Sequence, residues 1–436
     1  GLELSRSDFY EKELTFQVSC SYGPGRYDPN YEEKGKDYPF GFVRWTEQRN
    51  FEAVLDLMLS GSIDVKPLIS HKFKIDDAIE AYNKLDDHSS MGILLEFKRT
   101  VKKPSFENKV ALKKNITNKP KKVNVAFIGG GNYSSSVLIP AFKNAGANLT
   151  TLVTSGGVSA THYGKKNGFL FASTDIKDAL EDVADAVVIA TQHNLHADQT
   201  VEALKKKKHV FVEKPLALTH DEIDKIENYQ NKSNSMVMVG YNRRFSPHIQ
   251  KMKNLLDIKQ VPKTFIMTMN AGEIPINHWT QDLNIGGGRI IGEACHYIDL
   301  MRFLAGSKIK SYNAVKMGEN DFNQVTDDKA SISLTFEDGS MGSIHYFANG
   351  GKSFPKERIE VFCDNSVLQL DNFRKLRGYG WKGFKRMNLW SQDKGQKKCV
   401  ETFMTNIKEG RGNPIPQDEI YEVARVSVNI AEILKD

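Results

Sequence analysis

The sequence predicts an α/β chain: a doubly wound parallel sheet over residues 123–240, then an α+β domain with a mostly antiparallel sheet over 241–436. A small α+β unit over 1–98 and a lysine-rich linker over 99–122 precede them. Three observations carry this. Short continuous apolar runs alternate with helical stretches from 123 to 240, as strands buried on both faces require. A glycine-rich turn joins the first of those runs to a helix. Beyond 241, longer runs of alternating apolar and polar residues take over, the pattern of half-buried strands.

Composition sets the bounds. A chain of 436 residues makes two or three domains. Hydrophobic residues at 40% and charged residues at 26% are ordinary for a globular protein. The net charge of +6 is mild and gathers in the linker, so it does not point to nucleic acid. No apolar run approaches the ~20 residues of a membrane span, and no signal-peptide core opens the chain. Cys20, Cys295, Cys363 and Cys399 lie far apart without metal-ligand spacing. Reduced thiols, no metal and a cytoplasmic location follow as expectations. The chain opens at Gly1 rather than methionine, which leaves a processed product and a fragment of something longer both open as readings.

In the first unit, Glu13 to Asp28 reads as a β-rich run ending in a Gly-Pro-Gly turn. Asn50 to Ser60 reads as an amphipathic helix with Phe51, Val54, Leu55 and Met58 on one face. A strand and turn over Asp64 to Phe73, a helix over Ile75 to Leu85 and a strand over Gly92 to Phe97 complete it. In the linker, Lys102, Lys103, Lys109, Lys113, Lys114, Lys119, Lys121 and Lys122 repel one another, and Pro104 and Pro120 interrupt any helix. A basic patch for a phosphate-bearing partner is the other reading of that stretch.

The second unit begins with the apolar run Val123 to Ile128, the turn Gly129-Gly130-Gly131-Asn132-Tyr133-Ser134 and a helix carrying Val137, Leu138, Ala141 and Phe142. Strand, glycine turn and helix in that order are the dinucleotide fingerprint of a Rossmann domain. Gly129 permits the tight turn, and Gly131 lets the backbone approach a pyrophosphate at the helix N-terminus. Ser134, at the third position, is small enough for helix to pack on strand. The second strand, Asn148 to Thr154, ends where an acidic residue would hold the ribose of NAD. Thr154 and Ser155 stand there instead, with no arginine to take a 2′-phosphate, so NAD and NADP both stay open.

The strand Ala184 to Ala190 runs into Thr191, Gln192, His193, Asn194, Leu195 and His196. Next, Val210 to Val212 delivers Glu213, Lys214 and Pro215 to the strand end, and the proline stops the strand. A lysine at such a mouth can lose proton affinity by desolvation and pass a proton to and from a hydroxyl. Thr219 to Glu222 fits a capping box, and Ser235 to Gly240 is one more strand, leading to Tyr241-Asn242-Arg243-Arg244-Phe245. Arg243 and Arg244 either hold an anionic substrate group or pair with carboxylates at the domain junction. Past 241 the expected strands are Lys263 to Asn270, Lys329 to Phe336, Ser340 to Phe347, Arg358 to Cys363 and Ser366 to Leu370, with a closing helix Gln417 to Leu434.

Two resemblances bear on function. FEAVLDLMLSGSIDV, KPLISHKFKIDDAIEAYNKL and GILLEF resemble the C-terminal tail of zinc-type medium-chain alcohol dehydrogenases. The zinc ligands and cofactor loop of that family are absent from this sequence, so the unit is expected to be non-catalytic, and His71 an ordinary polar residue. Residues 123–436 resemble the glucose-fructose oxidoreductase and inositol dehydrogenase (Gfo/Idh/MocA) family. The carrying motifs are VAFIGGGNYSSSVLIPAF, ATQHNLHADQTVEALKKKKHVFVEKPLALTHDEI, GYNRRFSP and HWTQDLNIGGGRIIGEACHYIDL.

That second resemblance implies an NAD- or NADP-dependent dehydrogenase acting on a CH–OH group of a sugar, cyclitol or sugar nucleotide. It makes Lys214 the acid/base catalyst and His296 its partner at the reacting hydroxyl. The cofactor would lie against Gly129, Gly131, Asn132, Tyr133, Ser134, Thr154, Ser155, Thr191, His193, Asn194, Glu213 and Lys214. Lys214, Arg243, Trp279, His296 and Asp299 would meet the substrate. The family's aspartate falls on Gly292, so Glu293 is expected to supply the catalytic carboxylate, or Asp299 one helical turn beyond His296, or the site works without one. Glu293, His296 and Asp299 could share one helix face. The resemblance further implies a homo-oligomer through the C-terminal sheet and a small polyol or sugar as substrate, without nucleic acid or membrane. Alternatives are a non-catalytic cofactor-binding sensor or assembly partner, and a C=C or C=N reductase.

Overall fold

The computed structural model describes residues 4–16, 22–97, 108–113, 122–181, 183–318, 325 and 327–435. It divides into a unit ending at Phe106 and a unit beginning at Glu107.

In the first unit, strands β1 (Ile69–Lys74) and β2 (Gly92–Glu96) pair in parallel, connected through the helix Ala78–Asn83. The expected amphipathic helix spans Glu47–Leu59 and buries none of its residues; Phe51 and Leu55 stay half or more exposed. The run expected to be β-rich forms no strand among its described residues, 13–16 and 22–28. Gly23 and Gly25 take positive φ there, which turns the chain instead. Residues 17–21, with Cys20, lie outside the described residues.

The second unit holds two sheets. The first has the order β3 (Lys109–Ala111), β6 (Phe171–Ser173), β5 (Asn148–Val153), β4 (Asn124–Ile128), β7 (Ala186–Ile189), β8 (His209–Val212) and β9 (Val237–Val239). All its pairings are parallel except β3 with β6. β3 corrects one expectation: part of the lysine-rich stretch is an edge strand, not linker. Its antiparallel pairing uses backbone groups that the lysine pattern does not advertise. The strand order reverses between β4 and β7, and a crevice opens there at the carboxyl ends of the strands.

Phe127, Phe142 and Phe211 are fully buried in this core, and Phe403 of the helix Gln396–Glu409 meets Phe142 and Phe211 edge-on. Burying each such ring stabilises by roughly 1.5–3 kcal/mol. The sequence pattern did not disclose that helix, which ties the C-terminal part of the chain to the first sheet.

The second sheet runs β11 (Ile309–Lys316), β12 (Lys329–Phe336), β13 (Met341–Phe347), β10 (Thr264–Asn270), β14 (Glu357–Cys363), β15 (Ser366–Asp371), β16 (Lys375–Tyr379) and β17 (Arg386–Asn388). It is antiparallel except where β10 pairs with β13. Burial alternates along β13, β14 and β15. The outward face leaves Ile266, Met341, Phe347 and Phe362 exposed. No helix among the described residues is long and apolar enough to cross a membrane.

Candidate active site

A cleft of about 1160 Å³ lies at the crevice end of the first sheet. Gly129 closes its floor. Its φ is +104°, and a Cβ there would stand 2.2 Å from the Ala190 carbonyl oxygen, so only glycine fits. Gly131 is different, because a Cβ there would meet nothing within 4 Å. The chain is helical from Asn132 through Asn144, and the Ser134 hydroxyl donates to the Gly129 carbonyl at 2.8 Å. Gly129, Gly131, Asn132, Tyr133 and Ser134 all line the cleft, as do Thr154 and Ser155 at the end of β5 and Thr191 after β7. Roomy, glycine-floored and bordered by backbone amides, this end fits a dinucleotide. Thr154 and Ser159 hydroxyls approach to 2.9 Å where a ribose-binding acid would stand.

β8 delivers Glu213 and Lys214 to the same cleft, and the Lys214–Pro215 peptide is cis. The Glu213 carboxyl packs where a Gly240 Cβ would otherwise sit, 2.6 Å from its Oε1. Burial raises its pKa to about 7, against the opposing pull of Lys214 and Arg243. Lys214 Nζ donates to the carbonyl of Gly292 at 2.5 Å.

His296 lines the cleft too, and its Nδ1 is buried without a hydrogen-bond partner. Burial, reinforced by Arg243, Lys214, Lys394 and Lys356, holds its pKa well below the usual range, so the ring is neutral. His193 Nδ1 lies 2.7 Å from the Gly286 carbonyl, and its ring meets Trp279 edge-on at 4.8 Å. Burial lowers the His193 pKa to about 3, so the ring is neutral, and the carbonyl, which can only accept, places its one N–H on Nδ1. Trp279 and Arg243 complete the wall.

Four expectations are corrected. Glu293 does not line the cleft: it accepts from Arg289 at 3.0 Å and from the Tyr346 hydroxyl. Burial would raise its pKa, but Lys214 and Arg289 outweigh that and hold it at about 2. Asp299 is fully buried against Arg244, which also pairs with Glu419 at 2.8 Å, so neither Asp299 nor Arg244 reaches a substrate. Nor do Glu293, His296 and Asp299 share a face. Ile290–Ala294 is a π-turn ahead of the helix Cys295–Ala305, and even a regular helix would leave Asp299 about 120° round from Glu293. Asn194 is not a cleft residue; its backbone N–H donates to the Ile285 carbonyl.

Lys394 and Gln396 also line the cleft and carried no sequence signal, and Asn242, from the segment after β9, lines it beside them. The loop before the helix Gln396–Glu409 brings Lys394 there, with its carbonyl accepting from the Asn242 amide at 2.6 Å. Gly395, at φ +83°, lets that loop close against the Asn242 carbonyl, 2.4 Å from where a Cβ would be.

Residues 123–241 match the family model described as "Oxidoreductase family, NAD-binding Rossmann fold", and 250–369 match the "GFO/IDH/MocA C-terminal domain". The chain is 30% identical over 210 residues to the uncharacterized oxidoreductase YrbE of Bacillus subtilis (strain 168), covering 47% of this chain and 60% of YrbE. That span is less than two thirds of YrbE's length. It is 26% identical over 257 residues to the myo-inositol 2-dehydrogenase of Thermotoga maritima, covering 56% of this chain and 76% of that enzyme. Among solved structures, levoglucosan dehydrogenase in complex with NADH and levoglucosan superposes with a TM-score of 0.63 at 22% identity. That superposition covers 72% of this chain and 97% of the other, a likeness of fold.

Proposed function

Through the two stretches matched above, the chain belongs to the Gfo/Idh/MocA oxidoreductase family, and we propose that it is an NAD(P)-dependent dehydrogenase of a CH–OH group on a sugar, cyclitol or sugar nucleotide. One observation carries the reading: Lys214 and His296, 82 residues apart, line a single cleft with the glycine turn 129–131. The bound nicotinamide would accept or return the hydride at its C4.

The chain's own residues handle the proton. In oxidation, Lys214 as a neutral amine takes the proton of the substrate hydroxyl while the carbinol C–H electron pair departs with its hydrogen. Neutral His296 hydrogen-bonds the same oxygen, and reduction runs each step backward. The Gly292 carbonyl positions the Lys214 amine. Glu293 acts as a fixed negative charge behind it, not as a contact to substrate. His193 and Trp279 form the wall, and the exposed face of the second sheet is the surface for a homo-oligomer. Nothing at Thr154 and Ser155 selects between NAD and NADP. We assign the first unit no chemistry, in keeping with the tail resemblance of its sequence.

Absorbance at 340 nm with both cofactors and a panel of sugars and cyclitols tests the reading. Turnover of any carbinol is the expected outcome. Tight cofactor binding with no absorbance change across the panel would instead favour a sensor.

A further inference from the structure

Arg243 Nη2 lies 2.8 Å from Glu357 Oε1, and Lys394 Nζ lies 3.1 Å from that same oxygen. The Tyr297 hydroxyl also donates to it at 2.8 Å, while Glu357 Oε2 is buried without a partner. Two cations therefore share one carboxylate, which leaves one positive charge unbalanced in a largely dry wall. The other acids nearby do not cancel it. Glu293 is engaged with Arg289, Asp299 with Arg244, and burial keeps Glu213 only partly ionised at neutral pH. Lys356 adds a further positive field at His296.

Arg243 and Lys394 both line the cleft that holds Lys214 and His296, and their side chains keep only 10% and 17% of their exposure. Burial depresses the Lys394 pKa, with Glu357 opposing, so an arriving anion would restore its proton affinity. At the Glu357 carboxylate itself the surplus is one charge, the amount that one added carboxylate neutralises.

We infer that the substrate is an acidic sugar or cyclitol, whose carboxylate is held by Lys394 with Arg243 while its carbinol faces Lys214 and His296. This rests on the dehydrogenase reading above.

The test uses the cofactor-saturated protein and matched pairs: glucose with glucuronate, galactose with galacturonate, and glucose 6-phosphate as the dianion. A charge-assisted hydrogen bond in this setting gives the uronates a kcat/KM advantage of about tenfold or more over their neutral partners. Lys394→Met should erase that ratio mainly through KM, and Lys394→Arg should keep it. Neutral sugars turned over as well as their acids would overturn the inference while leaving the dehydrogenase reading intact, as would preference for the phosphate. An equal loss on both members of a pair, or weaker NAD(P)H binding in Lys394→Met, would assign the charge elsewhere and also overturn it. If nothing is oxidised, quenching of bound-NADH fluorescence decides separately. Uronates that bind the wild type better than neutral sugars, and lose that edge in Lys394→Met, support the inference; equal binding ends it.

Discussion

The Lys214 amine sits 2.5 Å from the carbonyl oxygen of Gly292, a residue 78 positions along the chain at the π-turn before the His296 helix. That contact joins the strand end of one sheet to the helix that covers the other. A side chain at 292 could not be added freely, since its Cβ would come within 3.0 Å of the His193 ring. The carboxylate expected near this position is therefore replaced by a backbone acceptor.

Lys214→Ala should lower kcat by about 10²- to 10⁴-fold, the usual contribution of a positioned general base, with cofactor affinity nearly unchanged. Steady-state kinetics with an NADH fluorescence titration checks both halves. Wild-type turnover in this variant would remove Lys214 from the mechanism.

Two of the turn's three glycines, Gly129 and Gly131, should separate fold from function. Gly129→Ala forces a methyl into the Ala190 carbonyl at a positive φ, and the melting temperature should fall by several degrees. Gly131→Ala meets nothing in the protein, so its melting temperature should hold while NAD(P)H affinity drops. Calorimetry and fluorescence titration on both variants would show the contrast; equal loss of stability in both would contradict it.

Glu213 should leave a mark on stability against pH. Its folded pKa of about 7 lies above the ordinary glutamate value of 4.5, so between those limits the unfolded chain is ionised while the native group keeps its proton. Stability contributed by this group is whole below pH 4.5 and falls as pH rises, levelling off above 7. The slope approaches 1.4 kcal/mol per pH unit, roughly, at its steepest. Glu213→Gln should flatten that part of the curve, as read by urea unfolding from pH 5 to 8. An unchanged curve would mean that another group sets it.

The parts of the site visible in the sequence are those the chain delivers in one piece. The glycine turn, Thr191, His193 and Glu213-Lys214 each follow directly on an apolar strand, so pattern and position coincide. Lys394 had no such frame: it reaches the cleft only because Gly395 can adopt a left-handed turn against Asn242, a tertiary fact. Glu293 and Asp299 share no face because each three-residue step drifts about 60° on a regular helix, roughly 120° over the two steps, and the π-turn adds to that. The edge strands β11 and β17, and β16 beside β17, went unseen because they bury too few side chains to show an alternating pattern.

Asp299 supplies the last prediction. It and Arg244 are both buried, and Arg244 is shared with Glu419, so the trio locks the His296 helix to the segment after β9 and to the C-terminal helix Gln417–Ile433. Removing Asp299 takes one of two carboxylates from a buried guanidinium that keeps Glu419, which costs up to about 3–5 kcal/mol. Asp299→Asn should therefore lower the denaturation midpoint substantially, while the folded fraction keeps its substrate KM because Asp299 does not touch the cleft. Urea unfolding beside kinetics normalised to folded protein distinguishes this from a binding role. A raised KM at undiminished stability would return Asp299 to the substrate site.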